Sequence, residues 1–319
     1  MRLSLIIFSV LLCFSTKAQD PHFTQYFSSP IYLNPAFAEY EGCSRISSAY
    51  RMQWPGISGK YQTLNFSYDQ FVKQFAGSIA LNYYYNRESD GTFQKHSASF
   101  TYSPSFRLFK KKLLISPAIE AGWKQRSIDW TKLTFGDQID PRYGFIYNTN
   151  EIDMSNNAKN YFDLNAGLLI THGNFVYGAA FHHLTQPNES FFNSYSAKLP
   201  IKYTAHFSYV ADISEHVKIS PSIIYQQQQD FQQFLPTVVF YAYGVKAGFG
   251  TRFNTNNTDA LIFLLGYKGK SFSAGYSYDI TVSNLGNSKT GGSHELNFIA
   301  RFNCKNKAEK RKGVEQVNF

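Results

Sequence analysis

Ser293 and His294 stand side by side, His182 and His183 form a pair, and His206 is flanked two residues away on each side by Thr204 and Ser208. A hydroxyl within reach of an imidazole could support nucleophilic hydrolysis, the ring taking the hydroxyl proton. That chemistry needs both groups on one face. Neighbours on a strand point to opposite faces, so Ser293 and His294 are expected to split, and His182 and His183 likewise. His206, Thr204 and Ser208 share a face, but no Asp is placed to orient the ring, and a polar ladder is the simpler reading. The chain has no glycine-rich phosphate loop, no paired-carboxylate spacing and no Cys/His ligand set. Neither an enzyme, a cofactor nor a metal site is therefore expected.

The elements that carry these residues read as strands. Ile46, Ser48, Tyr50, Met52 and Trp54 share one face, against Arg45, Ser47, Ala49, Arg51 and Gln53. The same alternation returns in Leu64–Tyr68, Ile79–Tyr85, Phe100–Phe106, Ile115–Trp123, Phe162–Ile170, Phe175–Phe181, Ile201–Tyr209 and Val217–Tyr225. It weakens through Leu235 to Tyr243, then resumes in Val245–Phe253, Leu261–Tyr267, Phe272–Ile280 and Leu296–Phe302. The template yields about fourteen strands of roughly nine to twelve residues. Pro117 and Pro221 fall inside such runs and are expected at strand starts or bulges near a rim.

Composition narrows the architecture. The 319 residues are 43% hydrophobic, 18% aromatic and only 17% charged. So many rings and so few charges exclude disorder, and no apolar run after residue 20 is long enough for a membrane helix. A sandwich would turn the apolar face inward, whereas a transmembrane barrel turns it to lipid, with rings at both interfaces. Polar opposite faces, rings near strand ends as in Tyr83-Tyr84-Tyr85, and the long Ser127–Asn160 connection favour the barrel. The expected fold is all-β: an antiparallel transmembrane β-barrel of about 14 strands, residues 44–304, in the outer membrane.

Its inner face would then carry Arg45, Arg51, Lys95, Arg107, Lys124, Arg126, Lys202, Lys218, Lys246, Arg252 and Arg301, against Asp69, Glu120, Asp163, Asp212, Asp279 and Glu295. Such a lumen could select anions as a porin. The favoured alternative is ion pairing across strands that fills a closed interior. Arg51, Asp279 and Glu295 are expected to form one network near the periplasmic mouth.

The ends have their own readings. Arg2, the apolar run Leu3 to Phe14 and Thr16-Lys17-Ala18 read as a signal peptide, residues 1–18, cleaved before Gln19. Residues 19–43 form an irregular N-terminal segment, rich in rings, that would plug or cap the lumen or dock a partner; an exposed aromatic segment must pack somewhere. Phe23, Gln25, Tyr26, Asn34, Pro35 and Phe37 are its candidate contact residues. Residues 305–319 form a basic tail holding Lys305, Lys307, Lys310, Arg311 and Lys312, part of the net charge of +9. That charge accompanies no nucleic-acid motif. Cys43 and Cys304, near opposite ends of the mature chain, could pair in an oxidising compartment or stay free. Both chain ends are expected on the periplasmic side.

Asp20-Pro21-His22-Phe23-Thr24-Gln25-Tyr26-Phe27, Asn34-Pro35-Ala36-Phe37-Ala38 and Arg51-Met52-Gln53-Trp54 resemble the N-terminal signature of the PorP/SprF family. Gly275-Tyr276-Ser277-Tyr278-Asp279 and Gly292-Ser293-His294-Glu295-Leu296 resemble its C-terminal pair. The family departs at Phe37-Ala38-Glu39, where it often has Tyr-Ala-Gly. The resemblance implies a non-enzymatic outer-membrane component of the Bacteroidetes type IX secretion and gliding motility machinery. Its implied partners are other secretion components and a secreted protein, typically a large adhesin with a C-terminal sorting domain. A general core role in secretion and motility is the alternative it implies.

Overall fold

The computed structural model describes residues 20–38, 40, 42–109, 113–150, 157–192, 196–255 and 257–304. The expected signal peptide and basic tail lie outside the described residues. Fourteen strands form one closed sheet: β1 (Ser44–Gln53), β2 (Tyr61–Val72), β3 (Gly77–Glu88), β4 (Phe93–Pro104), β5 (Leu113–Ile128), β6 (Ala158–His172), β7 (Phe175–His182), β8 (Lys202–Tyr209), β9 (Val217–Gln228), β10 (Phe231–Ala242), β11 (Val245–Asn254), β12 (Asn257–Lys268), β13 (Phe272–Thr281) and β14 (Ser293–Phe302). Each pairs antiparallel with its sequence neighbour. The ring closes where β1 meets β14, with Ser44 opposite Phe302 and Gln53 opposite Ser293. Closure leaves no free strand edge, which a bilayer would not tolerate.

Alternation decides the two faces. Leu81, Phe100, Trp123, Phe162, Phe263 and Leu296 stand exposed outside, while Arg45, Asp69, Glu120 and Asp279 are buried inside. Three residues assigned to the lumen leave it. Arg107 lies exposed in a short paired piece, Phe106–Leu108, and Asp212 and Lys218 pair with each other at 2.9 Å beside the short turns. All three stay in the ladder, Arg107 opposite Leu114 and Lys218 opposite Asp212, but at the short-turn rim, where solvent reaches them.

The weak alternation in β10 has a physical cause. Leu235 and Val239 face inward yet are buried and apolar, while Phe234 and Phe240 on the outside are exposed. Both faces are apolar there, so period two disappears from the sequence. Pro117 and Pro221 sit where a neighbouring ladder breaks. The β4–β5 pairing stops at Tyr102–Ile119 and resumes at Phe106–Ile115, and the β8–β9 pairing stops at Ser208–Ser222 and resumes at Ala211–Ile219. A residue without an N–H costs no ladder bond at such a gap.

The barrel has unlike ends. One carries short turns such as Gly173-Asn174, and the other carries the long connections 129–157, 183–201 and 282–292. Residues 20–38 run through the interior as a strap from the long-loop end to the short-turn end. Asp20 meets Lys95 and Lys202, close to the long-loop ends of β4 and β8. The Phe37 carbonyl accepts from Arg45, one residue into β1 from the other end. The described ends therefore lie toward opposite mouths, Asp20 at the long-loop end and Cys304 at the short-turn end, contrary to the expectation of a shared one. Arg51, Asp279 and Glu295 also lie near the long-loop end, away from the mouth where β1 begins and β14 ends. A disulfide joins Cys43 to Cys304 there.

Candidate functional site

The strap is irregular because its sequence leaves it no alternative. Pro21, Pro30 and Pro35 deny it ladder bonds, and each prolines' fixed φ suits short helical turns. Pro30–Leu33 makes one such turn and Pro35–Phe37 a tighter one. Asn34 caps the second turn, its Oδ1 accepting from the Ala36 N–H at 3.0 Å.

Asn34 also ties the strap to the wall. Its Nδ2 lies 3.2 Å from the carbonyls of Leu168 and Ala179 and 3.1 Å from His206 Nε2. Close approach needs a bare wall: a Cβ on Gly167 would stand 2.2 Å from Asn34 Oδ1, and one on Gly275 2.7 Å from Gln25 Oε1. Phe37 stacks on His206 with ring centres 5.0 Å apart, and Phe27 packs edge-on against Phe37. Phe27, Ile31, Leu33 and Phe37 pack into one apolar cluster with Leu169, Val176, Ile224, Leu235, Val239 and Ile262 of the wall. Burial on this scale gives a strong docking force, about 1.5–3 kcal/mol for each large side chain.

The polar half of the strap meets the charge network. Arg51 donates from Nη2 to Asp279 at 2.8 Å and from Nη1 to Glu295 at 3.3 Å. Arg252, which strand parity places inside but not in this network, donates to Asp279 at 3.0 Å and to Asp259 at 2.7 Å. Glu295 accepts the backbone N–H of Thr24 at 2.6 Å and of Gln25 at 2.9 Å. Thr24 Oγ1 donates to Asp279 at 2.7 Å and accepts from Arg51 at 2.7 Å. Buried charges persist only when paired and hydrogen-bonded, and here the strap's own backbone completes the pairing. Gln25 donates to Ser277 and accepts from Asn297. Phe23 packs edge-on against Tyr32, whose ring stacks on Tyr84. Tyr26 is buried, with its hydroxyl 3.5 Å from Gln233, and Pro35 lies against the wall at Gly167.

A second cluster holds the start of the strap. His183 stands between Asp20 and Asp163, at 2.5 and 2.6 Å, and Lys124 reaches Asp163 at 2.5 Å. Burial pushes the Asp20 carboxyl up, but His183 and Lys95 outweigh it and hold it well below the usual carboxylate range. The reading that His182 and His183 split is corrected: both are buried inside. β7 ends at His182, and His183 takes a φ of +63°, which turns its ring back toward Asp163. Its signal was weak in sequence, because a residue just past a strand end obeys no alternation.

None of the hydrolytic candidates assembles. Ser293 faces inward, whereas His294 faces outward against Tyr276 at 2.8 Å. His206 lies with Thr204 and Ser208 inside, and its ring is engaged by Asn34 and Phe37. Among the described residues, no group of His, Cys, Asp and Glu is placed to hold a metal.

A family profile described as type IX secretion system membrane protein PorP/SprF matches residues 15–299. Among solved structures, the chain is similar to the Acinetobacter baumannii outer membrane protein Omp33, with 10% identity over 82% of this chain and 99% of that one and a TM-score of 0.46. It is also similar to the Ralstonia pickettii toluene transporter TbuX, with 11% identity over 85% and 93% and a TM-score of 0.49. A third is the CymD monoaromatic hydrocarbon channel, with 10% identity over 86% and 93% and a TM-score of 0.49. No curated protein matches the chain.

Proposed function

The chain belongs to the PorP/SprF family of type IX secretion system membrane proteins, and on that premise we propose that it is a non-enzymatic outer-membrane scaffold supporting export or surface attachment of a partner protein. The partner class that fits is a large secreted adhesin with a C-terminal sorting domain, working with other secretion components and lipid. The short turns and Cys304 face the periplasm, and the long loops face outward.

The observation that carries this reading is the filled lumen. Strap side chains such as Phe27, Leu33 and Phe37 are almost fully buried in the barrel, and Arg45, which also bonds the Phe37 carbonyl, pairs with Asp69 at 2.9 Å. A filled barrel suits a rigid platform for protein contacts better than a solute path. Residues 19–43 act as the plug, and residues 1–18 as a cleaved export signal.

Gene deletion tests the reading. Loss of one or a few large surface proteins, retained inside the cell, is expected; an unchanged surface proteome with gliding intact would overturn it. Arrest of all type IX export would mark a core component instead. In planar bilayers the purified chain is expected to show no steady conductance, and a stable open current would mark a porin.

A further inference from the structure

At the long-loop mouth, above the start of the strap, lies a cavity of about 390 Å3. That volume falls within the roughly 300–1,000 Å3 of small-molecule sites. Its floor is Asp20, Pro21 and His22, and its wall comes from the ends of β1 to β5. Trp54 and Tyr61 meet edge to face at 5.9 Å on one side, and Phe93 lies under Arg126 at 5.7 Å on the other.

The charges in the lining are largely spent on each other. Asp20 is held by His183 and Lys95, and Glu189 by Lys95 at 3.2 Å and Arg126 at 3.4 Å. Little net field is left to select an ion. Several neutral or single groups remain uncommitted. The side-chain amide of Gln53, the indole N–H of Trp54 and the hydroxyl of Tyr61 line the cavity, and none of these three groups has a hydrogen bond to another described residue. Glu88 has a hydrogen bond from Asn86 at 2.6 Å but no ion pair among the described residues. His22 Nε2 is buried without a hydrogen-bond partner.

We infer that this mouth cavity binds a neutral saccharide, with the Trp54 ring receiving a sugar's C–H face beside the edge-on Tyr61 and with Glu88, Gln53 and His22 pairing with its hydroxyls. Rings offer flat amphipathic contact area, and planar amide and carboxylate groups suit pairs of neighbouring hydroxyls. A peptide strand is disfavoured, because strand addition needs a free sheet edge and the closed ring has none at this wall. The inference concerns binding alone and stands independently of any role in secretion.

The test uses the full-length protein in amine-oxide micelles, since alkyl-glycoside detergents would compete. Arrays of neutral oligosaccharides and of short peptides are probed, and the best saccharide is titrated by calorimetry. Binding of a subset of saccharides is expected, weakened about tenfold or more in Trp54→Ala and in Glu88→Gln. Trp123→Ala, on the outer face, is expected to bind as the parent does, and the heat-dependent gel shift reports that each variant is folded. Vesicles bearing glycolipid, set beside free saccharide, tell a membrane glycan from a soluble one. No saccharide bound at millimolar concentration, binding unaltered in both cavity variants, or selective capture of peptides alone would overturn the inference.

Discussion

The backbone N–H of Thr24 donates to Glu295 Oε2 at 2.6 Å, joining residues 271 apart in sequence. The start of the strap is thereby fastened to β14. Glu295 sits directly opposite Arg51 in the β1–β14 ladder, so the same carboxylate serves the strap and the seam where the barrel closes. Charge-assisted bonds of this kind are about twice as strong as neutral ones.

Glu295→Gln keeps the shape but leaves Arg51 with less countercharge and the two strap N–H groups with a weaker acceptor. A loss of about 2–4 kcal/mol is expected, and Glu295→Lys should cost more because it sets two cations together. The readouts are the temperature of the heat-dependent gel shift and protease cleavage within residues 20–42. Parent-like behaviour of the Lys variant in both assays would refute a role for this network.

Gly167→Ala and Gly275→Ala place a methyl group against Asn34 and Gln25, which must shift or leave. Each is expected to cost about 1–3 kcal/mol and to expose the strap to protease. Gly136→Ala, where nothing stands within 4 Å of the new methyl, serves as the control and should match the parent.

Cys43 and Cys304 bridge residues 261 apart beside the closing strand pair. In the chain-entropy view, removing so long a cross-link costs about 3–5 kcal/mol. Cys304→Ser is expected to lower the gel-shift temperature, and reductant should do the same to the parent but not to the variant. Equal temperatures for all samples would show that the β1–β14 ladder alone fixes the seam.

Acid should loosen the strap in two stages. Burial, with Arg252, Arg51 and Lys202 nearby, holds the His22 imidazole well below its usual 6.5. A withdrawn strap would protonate His22 below that pH while a docked strap does not, so docking is fully stable above about 6.5 and weakens as pH falls beneath it. Asp20, held below its usual 3.8, contributes above that value and loses its contribution as pH falls further. Strap protection against an acid-tolerant protease is therefore expected to decline below about pH 6.5, and His22→Asn should remove the upper stage. A profile identical in parent and variant would dismiss His22 as the cause.

Much of the barrel was readable in one dimension because a lipid-facing wall imposes period two on every strand. Leu81, Phe100 and Phe263 outside, and Arg45, Asp69 and Glu120 inside, follow from parity alone. So did the separation of Ser293 from His294. Parity fails where a strand ends, as at His183, and where both faces are apolar, as at Leu235 and Val239, and it does not say how deep a residue sits, so Arg107 at the rim is exposed. Those inward apolar residues make sense only with Phe27, Leu33 and Phe37 in place against them. The aromatic content of residues 20–42 required a packing partner, yet composition carries no direction. Only the tertiary structure decided that the strap threads the lumen from the long-loop mouth to the short-turn mouth, with Glu295 gripping its backbone and Gly167 and Gly275 making room. Contacts between residues hundreds of positions apart leave no periodic trace, because they depend on how the ring closes rather than on any local repeat.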